Sequence, residues 1–300
     1  MNNKSKIYFY IVAILPMFFW GMSFIWFKIA NKYYPPITIV FLRLLISSVI
    51  MLVVLIPLGK IQKIKSVDVK LLFIVAMCEP FCYFIGESFG LSLIPASMAS
   101  IIISTIPVFT PVVAFFMLKE KVTLTNIIGI IISFLGILVM VLKKNFSFSA
   151  SPIGVCLLLF AVLSALFYTV FVKKLSVKYS SFTIITYQNI IGMFLFMPIF
   201  LIFDFNKFIQ VKLNTELLIS LLLLSVFASS LAFIMFIFII KRIGVSKANV
   251  YTNLVPVFTV VFSHFILSEE ITAGKIAGML LILVGLIISQ TKKPVINIFW

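Results

Sequence analysis

Charge is scarce in this sequence. Only 11% of its 300 residues are Asp, Glu, Lys or Arg, where a soluble domain carries about a quarter. That shortage excludes a soluble enzyme, a secreted disulfide scaffold and a disordered chain. Histidine is scarcer: His264 stands alone, so no His-based metal cluster can form. The three cysteines, Cys78, Cys82 and Cys156, fall inside apolar runs without CxxC spacing. Thiols there behave as small hydrophobes, and the expectation is no disulfide, no metal and no cofactor. Acidic residues number 8 against 24 basic ones, a formal charge of +16. On a soluble protein such an excess would suggest nucleic acid. Here the lysines sit in short clusters between apolar runs, the pattern of membrane orientation signals, so no nucleic-acid partner is expected.

What the chain does have is apolar length. Its residues are 63% hydrophobic and its mean hydropathy is +1.27. Apolar stretches run over 8–30, 37–57, 70–92, 96–118, 123–142, 152–173, 182–204, 214–240, 246–267 and 273–291. About 20 residues suffice to cross a hydrocarbon core. Segments such as 127–142 are apolar on every face, which excludes the two-residue alternation of a barrel. The first stretch is too long for a signal-peptide core, and Lys28 and Asn31 follow it instead of a cleavage site. The expected fold is an all-α integral membrane protein of ten transmembrane helices in the cell membrane. Loop charges orient it: 16 basic residues fall in the set of loops that includes both termini and 6 in the other set, so the termini are expected in the cytoplasm.

The sequence repeats itself. Pro107–Gly136 aligned with Pro256–Gly285, an offset of 149, matches at twelve of thirty positions, including Pro107/Pro256, Glu120/Glu269, Gly129/Gly278 and Gly136/Gly285. A weaker match at offset 145 joins Lys28/Lys173, Tyr34/Tyr179 and Thr38/Thr183, with Arg43 facing Gln188. Each copy holds five spans. Five is odd, so the second copy enters the membrane from the opposite side. The expected organisation is two inverted five-helix repeats, 1–145 and 146–300, an arrangement used by many secondary transporters.

Particular runs carry a resemblance. They are "FWGMSFIWFK" in span 1, "ESFGLSLIPASMAS" across spans 3 and 4, "PVFTPVVAFFMLKEKVT" ending span 4, and "NLVPVFTVVFSHFILSEEIT" in the second half. In order and doubled spacing the whole chain resembles the EamA-type members of the drug/metabolite transporter superfamily. The resemblance implies ten helices with both termini inside, a central cavity lined by helices 1–4 and 6–9, and helices 5 and 10 at the periphery. It also leans towards export driven by proton entry. Ser268-Glu269 stands where that family usually has Gly-Glu.

Ionisable groups in lipid are costly, so each needs a reason. Lys28, Arg43, Glu79, Glu87 and His264 fall within spans. At 1.5 Å per residue, Glu87 lies about 8 Å and Arg43 about 9 Å from the outer ends of their spans, with Lys28 nearer that surface and Glu79 near the midplane. Arg43 and Glu87 are therefore expected to pair, either as a structural lock or as part of a substrate or proton site. Lys28 and His264 join that candidate substrate or proton site, with snorkelling for Lys28 and an interfacial place for His264 as the plainer readings. Glu79, Tyr83 and Glu87 share one side of their helix by i, i+4 spacing. A midplane carboxylate with no basic residue within a turn is a candidate proton carrier.

The second half offers neutral groups instead: Gln188 and Asn189 in span 7, and Asn249, Tyr251, Thr252 and Asn253 opening span 9. Amides also glue helices together, so Asn249 is as easily structural. Tyr251 and Asn253 are the better site candidates, since the resemblance places the start of helix 9 on the cavity; Trp20 joins them from the "FWG" run. Pro107 and Pro256 are candidate gate hinges. Gly129-x-x-x-Ser133 and Gly274-x-x-x-Gly278 are small-residue faces on helices 5 and 10, a candidate homodimer contact. Taken together, these features suggest a secondary active transporter that moves a small amphipathic metabolite, such as an amino acid or related compound, by alternating access. Its partners would be the lipid bilayer, that small molecule and protons. The rivals are an intramembrane hydrolase, for which no paired Asp, matched Ser/His or metal set is present, and a passive channel.

Overall fold

Apolar residues on every face leave a backbone in lipid one option, which is to satisfy its hydrogen bonds within helices. A computed structural model shows that outcome over residues 3–118, 123–141, 150–244, 248–249 and 251–290. Among these described residues all regular structure is helical and no strand forms. Lys119, Glu120, Lys121, Lys143, Lys144, Lys247, Lys292 and Lys293, which entered the repeat or the charge count, lie outside the described residues.

Six helices are long and apolar enough to cross a membrane: Ile11–Ala30 within α1 (Asn3–Ala30), α2 (Pro36–Leu55), the joined segment Ser66–Leu93, α8 (Pro152–Lys178), α9 (Ser181–Phe203), and the joined segment Thr215–Ile243. Four apolar helices are shorter: Ala96–Thr110, Leu124–Met140, Leu254–Leu267 and Ala273–Ser289. In two of these, spans 4 and 9, a break falls inside the expected apolar run, and the reason is local. Span 4 divides into α5 (Ala96–Ile103) and α6 (Ile106–Leu118) at Ser104-Thr105. There the Ser104 and Thr105 hydroxyls donate to the carbonyls of Ile101 and Ile102, at 2.7 Å each, in competition with the backbone N–H groups. In span 9 the turn Thr252-Asn253 precedes α13 (Leu254–Leu267), and the Thr252 hydroxyl bonds Asn249 O at 2.6 Å. Pro107 and Pro256 lie in the first turn of the helices that follow. A missing N–H costs nothing in a first turn, so the breaks sit just ahead of the prolines rather than at them.

The joined segments are interrupted too. Ser66–Leu93 comprises α3 (Ser66–Ala76), a wide π-type turn at Met77–Cys82, and α4 (Tyr83–Leu93). Glu79 breaks the helix there with extended dihedrals (φ −147°, ψ 120°) just before Pro80. Thr215–Ile243 comprises α11 (Thr215–Leu223), a wide turn at Leu224–Leu231, and α12 (Ala232–Ile243). A short helix α10 (Phe205–Gln210) precedes it.

At one edge, α7 (Leu124–Val141) packs along α14 (Ala273–Gln290) through glycines on both helices. A Cβ at Gly136 would sit 2.8 Å from Gly278 O, and one at Gly278 would sit 2.6 Å from Gly136 O. Asn126 Nδ2 adds a 2.5 Å bond to Ser289 O. The small-residue faces are thus used within one chain, and a second copy docking here would meet the outward faces, where Ile131, Phe134, Leu280 and Ile287 are exposed. Gly285→Ala drives its methyl into Ser133 and the Gly129 carbonyl, whereas Gly274→Ala meets nothing closer than Val139 O at 3.5 Å. The first is expected to cost about 1–3 kcal/mol by overpacking and the second to be neutral or mildly stabilising. Melting curves of the two purified variants check this, and equal midpoints would count against the packing.

Candidate functional site

The interruptions described above converge on one cavity of about 650 Å³, counting the space open at its mouth. Trp20, Ser23 and Phe24 of α1, Arg43 of α2, Glu79 at the wide turn, and Tyr83, Phe84 and Glu87 of α4 line it from the first half. Ile103, Ser104 and Ile106 add the break in span 4. Ala165, Tyr168 and Thr169 of α8, Phe233 and Phe236 of α12, and Asn249, Thr252 and Val255 complete it from the second half.

The two halves line it at equivalent positions. At offset 145, Trp20 pairs with Ala165, Ser23 with Tyr168 and Phe24 with Thr169. At offset 149, Phe84 pairs with Phe233, Glu87 with Phe236, Ile103 with Thr252 and Ile106 with Val255. The pairs match in position and differ in chemistry. All three ionisable residues of acid or base type, Arg43, Glu79 and Glu87, come from the first half, and the second half answers with rings, hydroxyls and amides.

The charged cluster is tightly held. Arg43 is 3% exposed, Glu79 5% and Glu87 8%. Arg43 Nη1 lies 4.0 Å from Glu87 Oε2, the long end of an ion pair. Its Nε donates to Ser229 Oγ at 2.7 Å, and its guanidinium sits 4.2 Å over the Phe84 ring. Tyr83 Oη donates to Glu87 Oε1 at 2.9 Å. Ser229 belongs to the second wide turn, whose freed carbonyls are taken up by side chains. Trp20 Nε1 donates to Ala228 O at 3.3 Å, and Asn189 Nδ2 donates to Ser229 O at 3.0 Å. A π-type turn in an apolar span is tolerated because such partners satisfy it.

Of the residues singled out in the sequence, the structure brings Trp20, Arg43, Glu79, Tyr83 and Glu87 together. Asn189 stands behind them, also bonded to Ser47 Oγ at 2.7 Å. Gln188 is buried beside Tyr168; neither Gln188 Oε1 nor the Tyr168 hydroxyl has a hydrogen bond of normal geometry to a described residue. Lys28 is half-buried and outside the lining, with the Glu269 carboxylate nearby. His264 is exposed, its Nδ1 3.0 Å from Glu269 O. Tyr251 and Asn253 do not line the cavity, whereas Asn249 and Thr252 do. Tyr168 and Ser229 were not singled out. Tyr168 was within reach, being offset by 145 from Ser23 on the aromatic span 1.

Acidic residues near the helix ends are also engaged. Asp68 accepts from Lys178 Nζ at 2.6 Å and Tyr179 Oη at 2.8 Å. Glu216, offset by 148 from Asp68, accepts from Tyr33 Oη at 2.6 Å and Lys32 Nζ at 3.4 Å. The first joins the start of α3 to the end of α8, and the second joins the start of α11 to the turn after α1. The Tyr33 hydroxyl, in the turn after α1, is held above its ordinary pKa chiefly by that bond to Glu216. Asp204 caps α2 through Thr38 N at 3.2 Å, and Glu269 caps α5 through Ala96 N at 2.6 Å and the Ser97 hydroxyl.

Comparisons with known proteins agree with this picture. The model of the EamA-like transporter family matches twice, over residues 7–142 and 152–291. An uncharacterized transporter of Archaeoglobus fulgidus is 28% identical over 287 residues, covering 95% of this chain and 99% of its own length. The uncharacterized transporter YvbV of Bacillus subtilis is 29% identical over 278 residues, with 91% and 88% covered. One solved structure overlays with a TM-score of 0.68 at 14% identity, covering 93% of this chain and 95% of that one, and so shares the fold. Family and helices together make this a multi-pass protein of the cell membrane.

Proposed function

The chain belongs to the EamA-like transporter family, and from that premise we propose that it is a secondary active transporter working by alternating access. Ten membrane helices form two inverted repeats, 1–145 and 146–300, with both termini in the cytoplasm. The substrate is a small amphipathic metabolite such as an amino acid or related compound, exported against proton entry through Glu79 and Glu87. One observation carries this reading: a single cavity is walled at matching positions by both halves. Two copies of one unit facing it from opposite directions can exchange conformations, so that the same cavity opens first to one side and then to the other. The double family match over 7–142 and 152–291 supports the same division. Pro107 and Pro256, each just past a break that faces the cavity, are the proposed hinges.

Counterflow of a radiolabelled metabolite into proteoliposomes tests the class, because a carrier exchanges label against internal substrate and a channel does not. Topology has its own test. In a background lacking Cys78, Cys82 and Cys156, a cysteine placed at Lys119–Lys121 is expected to react from the cytoplasm and one beside Glu269 from outside. Labelling of both from the same side would remove the inverted repeat.

A further inference from the structure

Three residues of acid or base type share the cavity, and two of them are engaged. Arg43 spends Nε on Ser229, lays its face over Phe84 and directs Nη1 towards Glu87. Glu87 takes the Tyr83 hydroxyl on its other oxygen. Glu79 is different. It lines the cavity and is 5% exposed, yet no described residue donates a hydrogen bond to its carboxylate or brings a cation within 4.0 Å of it. With Arg43 set against Glu87, the cavity keeps one carboxylate without a partner. Buried there, it is either protonated or paired with a cation that enters the cavity.

We propose that Glu79 is the subsite for the ammonium group of an amine-bearing substrate, whose apolar body lies against the rings of the same cavity. This rests on the transporter reading and narrows its substrate class. Trp20, Phe24, Phe233 and Phe236 supply the rings, and ring faces attract cations as well as apolar groups. A bare metal ion is a poor occupant, since hard cations need six or more oxygen ligands and the lining offers one uncommitted carboxylate. A carboxylate-only substrate is a poor occupant as well. It would compete with Glu87 for Arg43 while standing beside Glu79. A proton and an ammonium group are alternative occupants of the same carboxylate, which gives a direct reason for the two to be exchanged.

The test uses full-length protein in detergent and three probes of one shape: 2-phenylethylamine, 2-phenylethanol and 3-phenylpropionate. Calorimetric titration is expected to show the amine binding at least tenfold more tightly than the alcohol, with the carboxylate weakest. In Glu79→Gln the amine should fall to the alcohol's level, and Glu79→Asp should restore part of the difference. Tighter binding of the carboxylate, no binding of the amine, or an amine preference that survives Glu79→Gln in a protein that still melts cooperatively overturns the inference. If Glu79→Gln does not fold, the ranking of the three probes on the unaltered protein decides. Counterflow separates the two readings. Amine binding without counterflow removes the transporter and leaves the subsite. Counterflow of an amine-free substrate that Glu79→Asp leaves unchanged removes the subsite and leaves the transporter.

Discussion

Glu79→Gln protein in liposomes is expected to lose accumulation driven by a pH gradient while still exchanging substrate at saturating concentration. The carboxylate at the wide turn is the uncommitted acid of the cavity among the described residues, and glutamine keeps its size while removing its proton exchange. Exchange of substrate for substrate needs no net proton movement, so it survives with a raised half-saturation. On the proposed coupling, accumulation needs a proton for every substrate moved. At one proton per substrate, one pH unit is worth about 1.4 kcal/mol, or roughly tenfold accumulation. The variant's ratio should drop to about one. Tenfold accumulation in Glu79→Gln would make the residue a hydrogen-bonding group alone, and loss of exchange at saturation would assign it to the fold.

The second large effect concerns Arg43. Arg43→Ala strands Glu87 and Glu79 in a site with no other described basic side chain on its walls. Breaking a buried pair from one side costs about 3–5 kcal/mol. Arg43→Ala combined with Glu87→Gln removes both charges, and the double variant is expected to recover part of that loss in the melting temperature of the purified protein. The 4.0 Å separation places a bound on the recovery. Ser229 and Phe84 also hold Arg43, so a share of the cost is lost hydrogen bonding and ring contact that Glu87→Gln cannot restore. Strictly additive losses would leave Arg43 as a residue of Ser229 and Phe84, with no coupling to Glu87.

The apolar runs told most of the helical pattern in advance. Hydropathy is local and additive, so Pro36–Leu55 and Ser181–Phe203 emerge close to their expected limits. It cannot see Ser104-Thr105 or Thr252-Asn253, because two small polar residues barely lower a twenty-residue average even as their hydroxyls compete for the backbone. Arg43, Glu79 and Glu87 were legible because charge in lipid always demands a reason. The resemblance favours Tyr251 and Asn253 over Asn249 by placing the start of helix 9 on the cavity, but position along a broken helix does not reveal which side faces inward. Asp68, Asp204 and Glu216, at or near the ends of apolar runs, were not singled out. Their partners stand 110 to 184 residues away, and no window of sequence holds both ends.

The bonds near the helix ends also bear on how the protein is made. While the ribosome has delivered only the first 145 residues, Asp68 lacks Lys178 and Tyr179, Tyr33 lacks Glu216, and Gly129 and Gly136 lack the facing Gly285 and Gly278. The cavity has only one wall. Every one of those gaps is closed by residues synthesised later, so the newborn first half is an unfinished surface rather than a stable intermediate. Membrane insertion can proceed helix by helix, but the packing of α7 waits for the last described helix, Ala273–Gln290, to reach its groove.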